Sequence, residues 1–322
     1  MIILSNNLGN VIQKPQSSKG SILVTGCTGL LGSNLCYLLK DEYRVVGTSR
    51  SPLEMTGVEW VKGDISDPDF DKAVMAGDHF DAVVHCAALT NVDRCEEEPD
   101  LAMQMNRDAS IRLAQAAVSD GAKFVFISTD AVFSGDKSSP YTEVDLVDPV
   151  NVYGLSKVQA EEAVLLLDDA LVLRTNMHGF NYLDKTSFSE WILSALRREE
   201  RLRMFDDVRF SALFVNDLVN GIRKAIEADL SGLYHLASRD SMTKYEFGLS
   251  LAKVAGLQGE IESVSVDDMS FVAQRSKNMA LDSRKLSAAL DVMMPSMQEG
   301  IVRYVTLEQE GYPARLKGTD RS

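Results

Sequence analysis

The chain has 322 residues, 45% of them hydrophobic, with a net charge of −14 and a pI near 4.8. That length can carry a full core and up to two lobes, while the acidic balance repels nucleic acid and anionic membranes unless a local basic patch intervenes, and none is visible. The four cysteines, Cys27, Cys36, Cys86 and Cys95, fall in the first third without metal-ligand spacing, the pattern of reduced cytoplasmic thiols.

Residues 1–20 start apolar and turn polar at once, too short a run for a signal peptide or a membrane span, and are expected to form a loose lead-in. Residues 21–40, SILVTGCTGLLGSNLCYLLK, read as a short strand joined to an amphipathic helix through Gly26, Gly29 and Gly32. Glycines there permit a tight turn and let backbone approach a pyrophosphate at the helix amino end, so Gly26, Thr28, Gly29, Leu30, Leu31 and Gly32 are expected cofactor contacts. The spacing is GxxGxxG, which also marks plain turns. The second strand, YRVVGTSRS, ends on Ser49 and Arg50. An acidic side chain there would suit a ribose 2′-hydroxyl, whereas a guanidinium suits a 2′-phosphate, so NADP is expected, with NAD the alternative. The third strand, VEWVKGDI, closes on Asp64 and Ile65; the fourth, in FDAVVHCAALT, ends in Cys86, Ala87 and Ala88, small residues that let a cofactor lie against the backbone, with Thr90 close behind.

The fifth strand contains the continuous apolar run FVFI, the pattern of a strand buried on both faces of a parallel sheet. Ser128 and Thr129 leave its carboxyl end, where open α/β sheets bind ligands, and Tyr153 and Lys157 lie one turn apart on the helix that follows. An ammonium beside a phenol favours the phenolate, so Lys157 is expected to lower the pKa of Tyr153 and make it a proton donor or acceptor near neutral pH. Further on, SFSEWILSALRREERLRM reads as one amphipathic helix over 187–204 with Arg197, Arg198, Arg201 and Arg203 on a solvated face. FSALFVNDLVNGIRKAIEADLSG returns to the nucleotide lobe, GLYHLAS is a short strand, and TKYEFGLSLAKVAGL a helix. In QRSKNMALDSRKL, Arg275 and Lys277 suit either a diphosphate or surface ion pairs.

The glycine-rich turn, the Ser-Thr strand end and the YxxxK pair together resemble the extended short-chain dehydrogenase/reductase superfamily. Within it, CAALTNVDRCEEEPDLAMQMN, STDAVFSGDKSSPYTEVDLVDPVNVYGLSK and KNMALDSRKL are similar to the dTDP-4-dehydrorhamnose reductase family, a resemblance covering most of residues 21–305. It implies an α/β fold with a doubly wound parallel sheet of Rossmann type, residues 21–175 binding the dinucleotide, a return to that domain around 206–238, and a smaller substrate lobe in 176–322. It implies Thr129, Tyr153 and Lys157 as the catalytic group, with Ser128 beside them, Asp64 and Ile65 against an adenine, Asn106 as a structural and cofactor-side polar residue, and Arg174 and Asn176 following the sixth strand. Substrate contacts are then expected from Thr90, Thr129, Ala131, Asn176, His178, Arg275 and Lys277. Ala131 replaces the aromatic that the family usually carries, and Asn176-Met177-His178 stands where a Trp is usual, which points to an altered sugar-recognition surface. No metal is implied. The expected activity is NADP(H)-dependent reduction of a nucleotide-linked 4-keto-6-deoxy sugar. The alternatives are an NAD-dependent sugar-nucleotide epimerase and a non-catalytic cofactor-binding regulatory subunit. Apolar residues on more than one face of the helices after Asn106 and Tyr153 (Ile111, Leu113, Ala117, Val158, Ala163, Leu166) suggest a homodimer.

Overall fold

The computed structural model describes residues 19–319, so nearly all of the N-terminal lead-in lies outside it. Its centre is a seven-stranded sheet of β1 (Ser21–Thr25), β2 (Arg44–Ser49), β3 (Val58–Lys62), β4 (Ala82–His85), β5 (Lys123–Thr129), β6 (Ala170–Thr175) and the strand Gly232–His235. The order across the sheet is Gly232–His235, β6, β5, β4, β1, β2, β3, and every pairing is parallel. The chain starts in the middle at β1, winds outward through β3, and crosses back to β4. That reversal beside β1 is where the carboxyl ends of a doubly wound sheet leave a crevice.

Strand side chains alternate between two cores. Ile22, Val24, Val84, Val125 and Leu173 face one layer with the helix α1 (Leu30–Leu39), while Leu23, Val83, Phe124, Phe126 and Val172 face the other with the helices Ala109–Ser119 and Val152–Val164. Burial on both faces explains why these strands read as unbroken apolar runs. Gly232–His235 joins the sheet beside β6, and the helix Val215–Glu227 packs into the same layer as α1 through Leu218 and Ile222.

One expected element breaks. The helix starting at Ser187 is capped by a reciprocal Ser187–Glu190 pair and ends at Arg197; Glu199 takes φ 56°, and Leu202–Phe205 is a strand paired with Ile261–Val264. Leu202 and Met204 point inward and Arg203 outward, a period of two that cannot continue a helix. Arg197 pairs with Glu308, Arg198 with Glu200, and Arg201 and Arg203 with Glu262, so this arginine cluster sits in surface ion pairs.

Candidate active site

The residues of the glycine-rich turn are held by close contacts. Gly26 has φ 67°, and a Cβ on it would lie 2.9 Å from the backbone of Ala87; a Cβ on Gly32 would lie 2.2 Å from the Gly26 carbonyl oxygen. The turn thus seats α1 directly against the ends of β1 and β4. Gly29 caps α1 without a side-chain bond, leaving the first N–H groups of the helix to whatever anion occupies the crevice.

A second close approach brings in the helix Val152–Val164. Asn151 caps it by accepting from the Gly154 N–H at 2.9 Å, and a Cβ on Gly154 would stand 2.3 Å from the Ala131 carbonyl oxygen. Only glycine lets this helix pack so tightly on the turn after β5. The consequence is that Tyr153 and Lys157 share a wall with Ser128 and Thr129, in a cavity of about 770 Å³.

That cavity is lined by Gly26, Thr28 to Gly32, Ser49, Arg50, Asp64, Ile65, Cys86 to Ala88, Thr90, Ser128, Thr129, Tyr153, Lys157 and Asn176, which brings together the crevice at every strand end from β1 to β6. Arg50 is exposed and its guanidinium has no ion-pair or hydrogen-bond partner among the described residues. Ser49, in contrast, is spoken for: its hydroxyl donates to the Ser51 carbonyl at 2.6 Å and accepts from the Trp60 indole at 3.1 Å. The Ser128 hydroxyl is buried without a hydrogen-bond partner among the described residues. A crevice with an uncapped helix end, a cradle that side chains would fill, a free guanidinium and an orphaned hydroxyl fits a 2′-phosphorylated dinucleotide.

The electrostatics differ from the sequence expectation. Burial pushes the Tyr153 phenol up to about 12, opposed by the neighbouring Thr129 hydroxyl and reinforced by the charge of Asp130. Lys157, 2% exposed, donates to the Ile127 carbonyl at 2.8 Å and rests 3.9 Å from the centre of the Phe126 ring, and burial lowers it to about 7. Desolvation, the largest cause at each group, favours the neutral phenol and the neutral amine, the opposite direction for Tyr153 from the one its spacing to Lys157 suggests.

Six residues carried over from the resemblance stand away from the cavity wall. Asn106 lies in a π-helical turn, accepts from Leu89 N–H at 2.7 Å, and donates to the Leu89 carbonyl and to Ser156, bracing the β4 loop against the helix of Tyr153. Arg174 is turned to Glu161, a pair 5% and 2% exposed that locks β6 to the same helix. Ala131 packs beneath Gly154. His178 is fully buried among Phe214, Phe247 and Tyr304, both ring nitrogens lack a hydrogen-bond partner among the described residues, and burial holds it down to about 3. Arg275 pairs with Asp93 at 2.8 Å, and Lys277 with Asp267 and Asp207. In the other direction, the wall also includes Asn181, Lys185, Thr186, Ser187 and Phe188, none of which the sequence singles out. The Ser-x-x-Glu capping box at Ser187 was their one local signal, since it ends a loop at a helix start.

The family model described as "RmlD substrate binding domain" matches residues 20–309. The chain is 30% identical over 275 residues to the spore coat polysaccharide biosynthesis protein SpsK of Bacillus subtilis, covering 83% of this chain and 91% of that protein. It is 29% identical over 302 residues to the dTDP-4-dehydrorhamnose reductase of Salmonella typhimurium, covering 89% and 97%. Among solved structures, dTDP-4-dehydrorhamnose reductase from Bacillus anthracis in complex with NADP superposes with a TM-score of 0.81 at 29% identity, over 89% of this chain and 99% of that one.

Proposed function

This chain belongs to the RmlD substrate binding domain family, to which it matches over residues 20–309, and from that premise we propose that it is an NADP(H)-dependent reductase of a nucleotide-linked 4-keto-6-deoxy sugar. The observation that carries the reading is that Tyr153, Lys157 and Thr129 line one cavity together with the Gly26–Gly32 turn and Arg50.

NADPH, when bound, would supply the hydride. The Gly26–Gly32 turn and the open end of α1 hold the pyrophosphate, and Arg50 pairs with the 2′-phosphate, a charge-assisted contact of the kind a guanidinium makes best. Tyr153, kept protonated by its burial, gives its proton to the substrate carbonyl oxygen, and the Thr129 hydroxyl stands beside it to hydrogen-bond the charge that builds there. Lys157, which lines the same cavity, would hold the nicotinamide ribose. Residues 21–175 with the return at 206–238 form the cofactor domain, and residues 176–322 supply the substrate lobe, of which Asn176 and Phe188 reach the cavity.

We place the protein in the cytoplasm, which suits its four unpaired cysteines; among the described residues no helix is long and apolar enough to cross a membrane. A homodimer is supported by the helix of Tyr153 and the turn after it, where Leu155 and Leu165 are exposed and Leu166 is 84% exposed, although Leu113, Ala117 and Val158 are spent inside the monomer. Light scattering that gives a mass near 35.4 kDa would exclude it.

Addition of dTDP-4-dehydrorhamnose to protein and NADPH should consume one NADPH per sugar reduced, followed as loss of nicotinamide absorbance. Protein that retains NAD through purification and interconverts two nucleotide sugars with no net absorbance change would replace the reductase with an epimerase.

A further inference from the structure

Among the described residues, the charged side chains that line the cavity are Arg50, Asp64, Lys157 and Lys185. Asp64 accepts from the backbone N–H and the hydroxyl of Ser66 at 3.0 and 2.8 Å, and Lys157 is buried against the Ile127 carbonyl. The exposed cations are therefore Arg50, just past the end of β2, and Lys185, in the loop before the helix Phe188–Arg197. The Lys185 ammonium has no ion-pair or hydrogen-bond partner among the described residues, and the adjacent Asp184 pairs with Lys317 at 3.1 Å instead. Its loop is fastened on both sides. The Phe180 carbonyl accepts from the Asn34 side-chain amide on α1 at 2.9 Å, and the Tyr182 hydroxyl accepts from the Glu54 N–H at 2.9 Å. Ser187 then donates to the Gly179 carbonyl at 2.5 Å and caps the helix that follows. Lys185 thus stands on a held backbone, and the next three residues, Thr186, Ser187 and Phe188, line the same cavity.

Resting on the reductase reading above, we propose that Lys185 is the residue of the substrate lobe that pairs with the diphosphate of the nucleotide sugar. A sugar carried on a nucleotide brings a diphosphate into a cavity that also takes the pyrophosphate and the 2′-phosphate of the cofactor, and like charges brought together there repel unless each meets a cation or a set of donors. The cofactor's anionic groups have theirs in this reading, the open end of α1 and Arg50. The substrate's diphosphate needs one more. Arg174, Arg275 and Lys277 have the chemistry for it, yet they are held by Glu161, Asp93, Asp267 and Asp207. Lys157 is committed to a backbone carbonyl, and burial lowers it to about 7, which makes it a weak fixed charge. Lys185 is the cation that remains, and it belongs to the stretch 176–322 that supplies the substrate lobe. An ammonium on a long stem acts on phosphate as a point charge, so it holds the diphosphate without choosing the sugar or the base attached to it. Such a contact, remote from the reacting carbonyl, is equally strong in the ground state and the transition state and is felt in KM rather than kcat.

The test has two arms. In the first, dTDP-glucose, which carries the diphosphate but no keto group, is titrated by calorimetry into protein saturated with NADP. Lys185→Met should weaken its binding by about tenfold, the lower end of what a charge-assisted hydrogen bond gives, and Lys185→Arg should largely restore it. NADPH affinity of the same variants, read by fluorescence, should stay at the wild-type value. Equal dTDP-glucose affinity in wild type and Lys185→Met overturns the proposal, as does a wild type that binds none. A loss that falls on NADPH instead would give Lys185 to the cofactor and overturn it equally. In the second arm, KM for dTDP-4-dehydrorhamnose at saturating NADPH should rise about tenfold in Lys185→Met with kcat within about twofold of wild type; a fall in kcat at unchanged KM would overturn the assignment. If the wild type turns over no such sugar, the reductase reading fails by itself, and the calorimetric arm still decides whether Lys185 holds a nucleotide-sugar diphosphate.

Discussion

His178 offers a test in which stability and catalysis separate. Its imidazole is fully buried, has no hydrogen-bond partner among the described residues, and lies in the field of Lys244 and Arg303. Burial, the larger cause, holds it down to about 3 from an ordinary value of 6.5. Below pH 6.5 the unfolded chain binds a proton here that the folded chain refuses until about pH 3, so stability is lost as pH falls through that window. Between pH 7 and 5 one such group costs about 2 kcal/mol, from the growing protonation of the unfolded imidazole. His85 and His235 are held down to about 3 in the same way. Asp130 opposes them, because its folded value of about 6 exceeds its unfolded 3.8 and acid therefore stabilises it, offsetting roughly 1 kcal/mol over the same interval. Urea unfolding of wild type and His178→Leu at pH 7 and pH 5 isolates one imidazole. The variant should lose about 2 kcal/mol less than wild type on acidification, with little change at pH 7, because no hydrogen bond is removed. Its turnover should stay within a few-fold of wild type, since the ring does not reach the cavity. An equal acid loss in the two proteins would refute the buried neutral imidazole, and a collapse of turnover at full stability would refute its placement outside the chemistry.

Tyr153→Phe should lower turnover by at least about 100-fold while leaving NADPH affinity nearly unchanged, as only the proton donor is removed; equal activity would remove Tyr153 from the mechanism. Arg50→Ala should weaken NADPH by roughly 1.5 to 3 kcal/mol and leave NADH unaffected, read by fluorescence titration, and a wild type indifferent to the two cofactors would make Arg50 a surface charge only. Gly32→Ala should abolish tight binding of either cofactor, since its Cβ would stand 2.2 Å from the Gly26 carbonyl oxygen and the turn would have to open; retained affinity would show that the turn yields without cost.

Much of this fold was legible in the sequence, because its evidence is local. A strand covered on both faces must be apolar at every position, so FVFI and its fellows announce themselves; the turn between β1 and α1 needs glycines at fixed short spacing; and a tyrosine and lysine four apart on a helix share a face whatever surrounds them. The break after Arg197 was harder, because its arginines and glutamates suit a helix surface as well as a strand edge. What decided it was the partner strand Ile261–Val264, far along the chain.

The pairings of charged residues come only from the tertiary structure. Arg174, Arg275 and Lys277 have the chemistry to hold phosphates, yet the fold commits them to Glu161, Asp93, Asp267 and Asp207. Lys157 sits one turn from Tyr153 as the spacing requires, but its effect on the phenol depends on how much water the two groups lose, and that is set by the sheet and helix packed over them. Periodicity and short spacing are properties of a few neighbouring residues, whereas desolvation and the pairing of charges are properties of the assembled interior, and so the amino-acid order alone determined where the site is built and the folded chain determined what each charge in it is free to do.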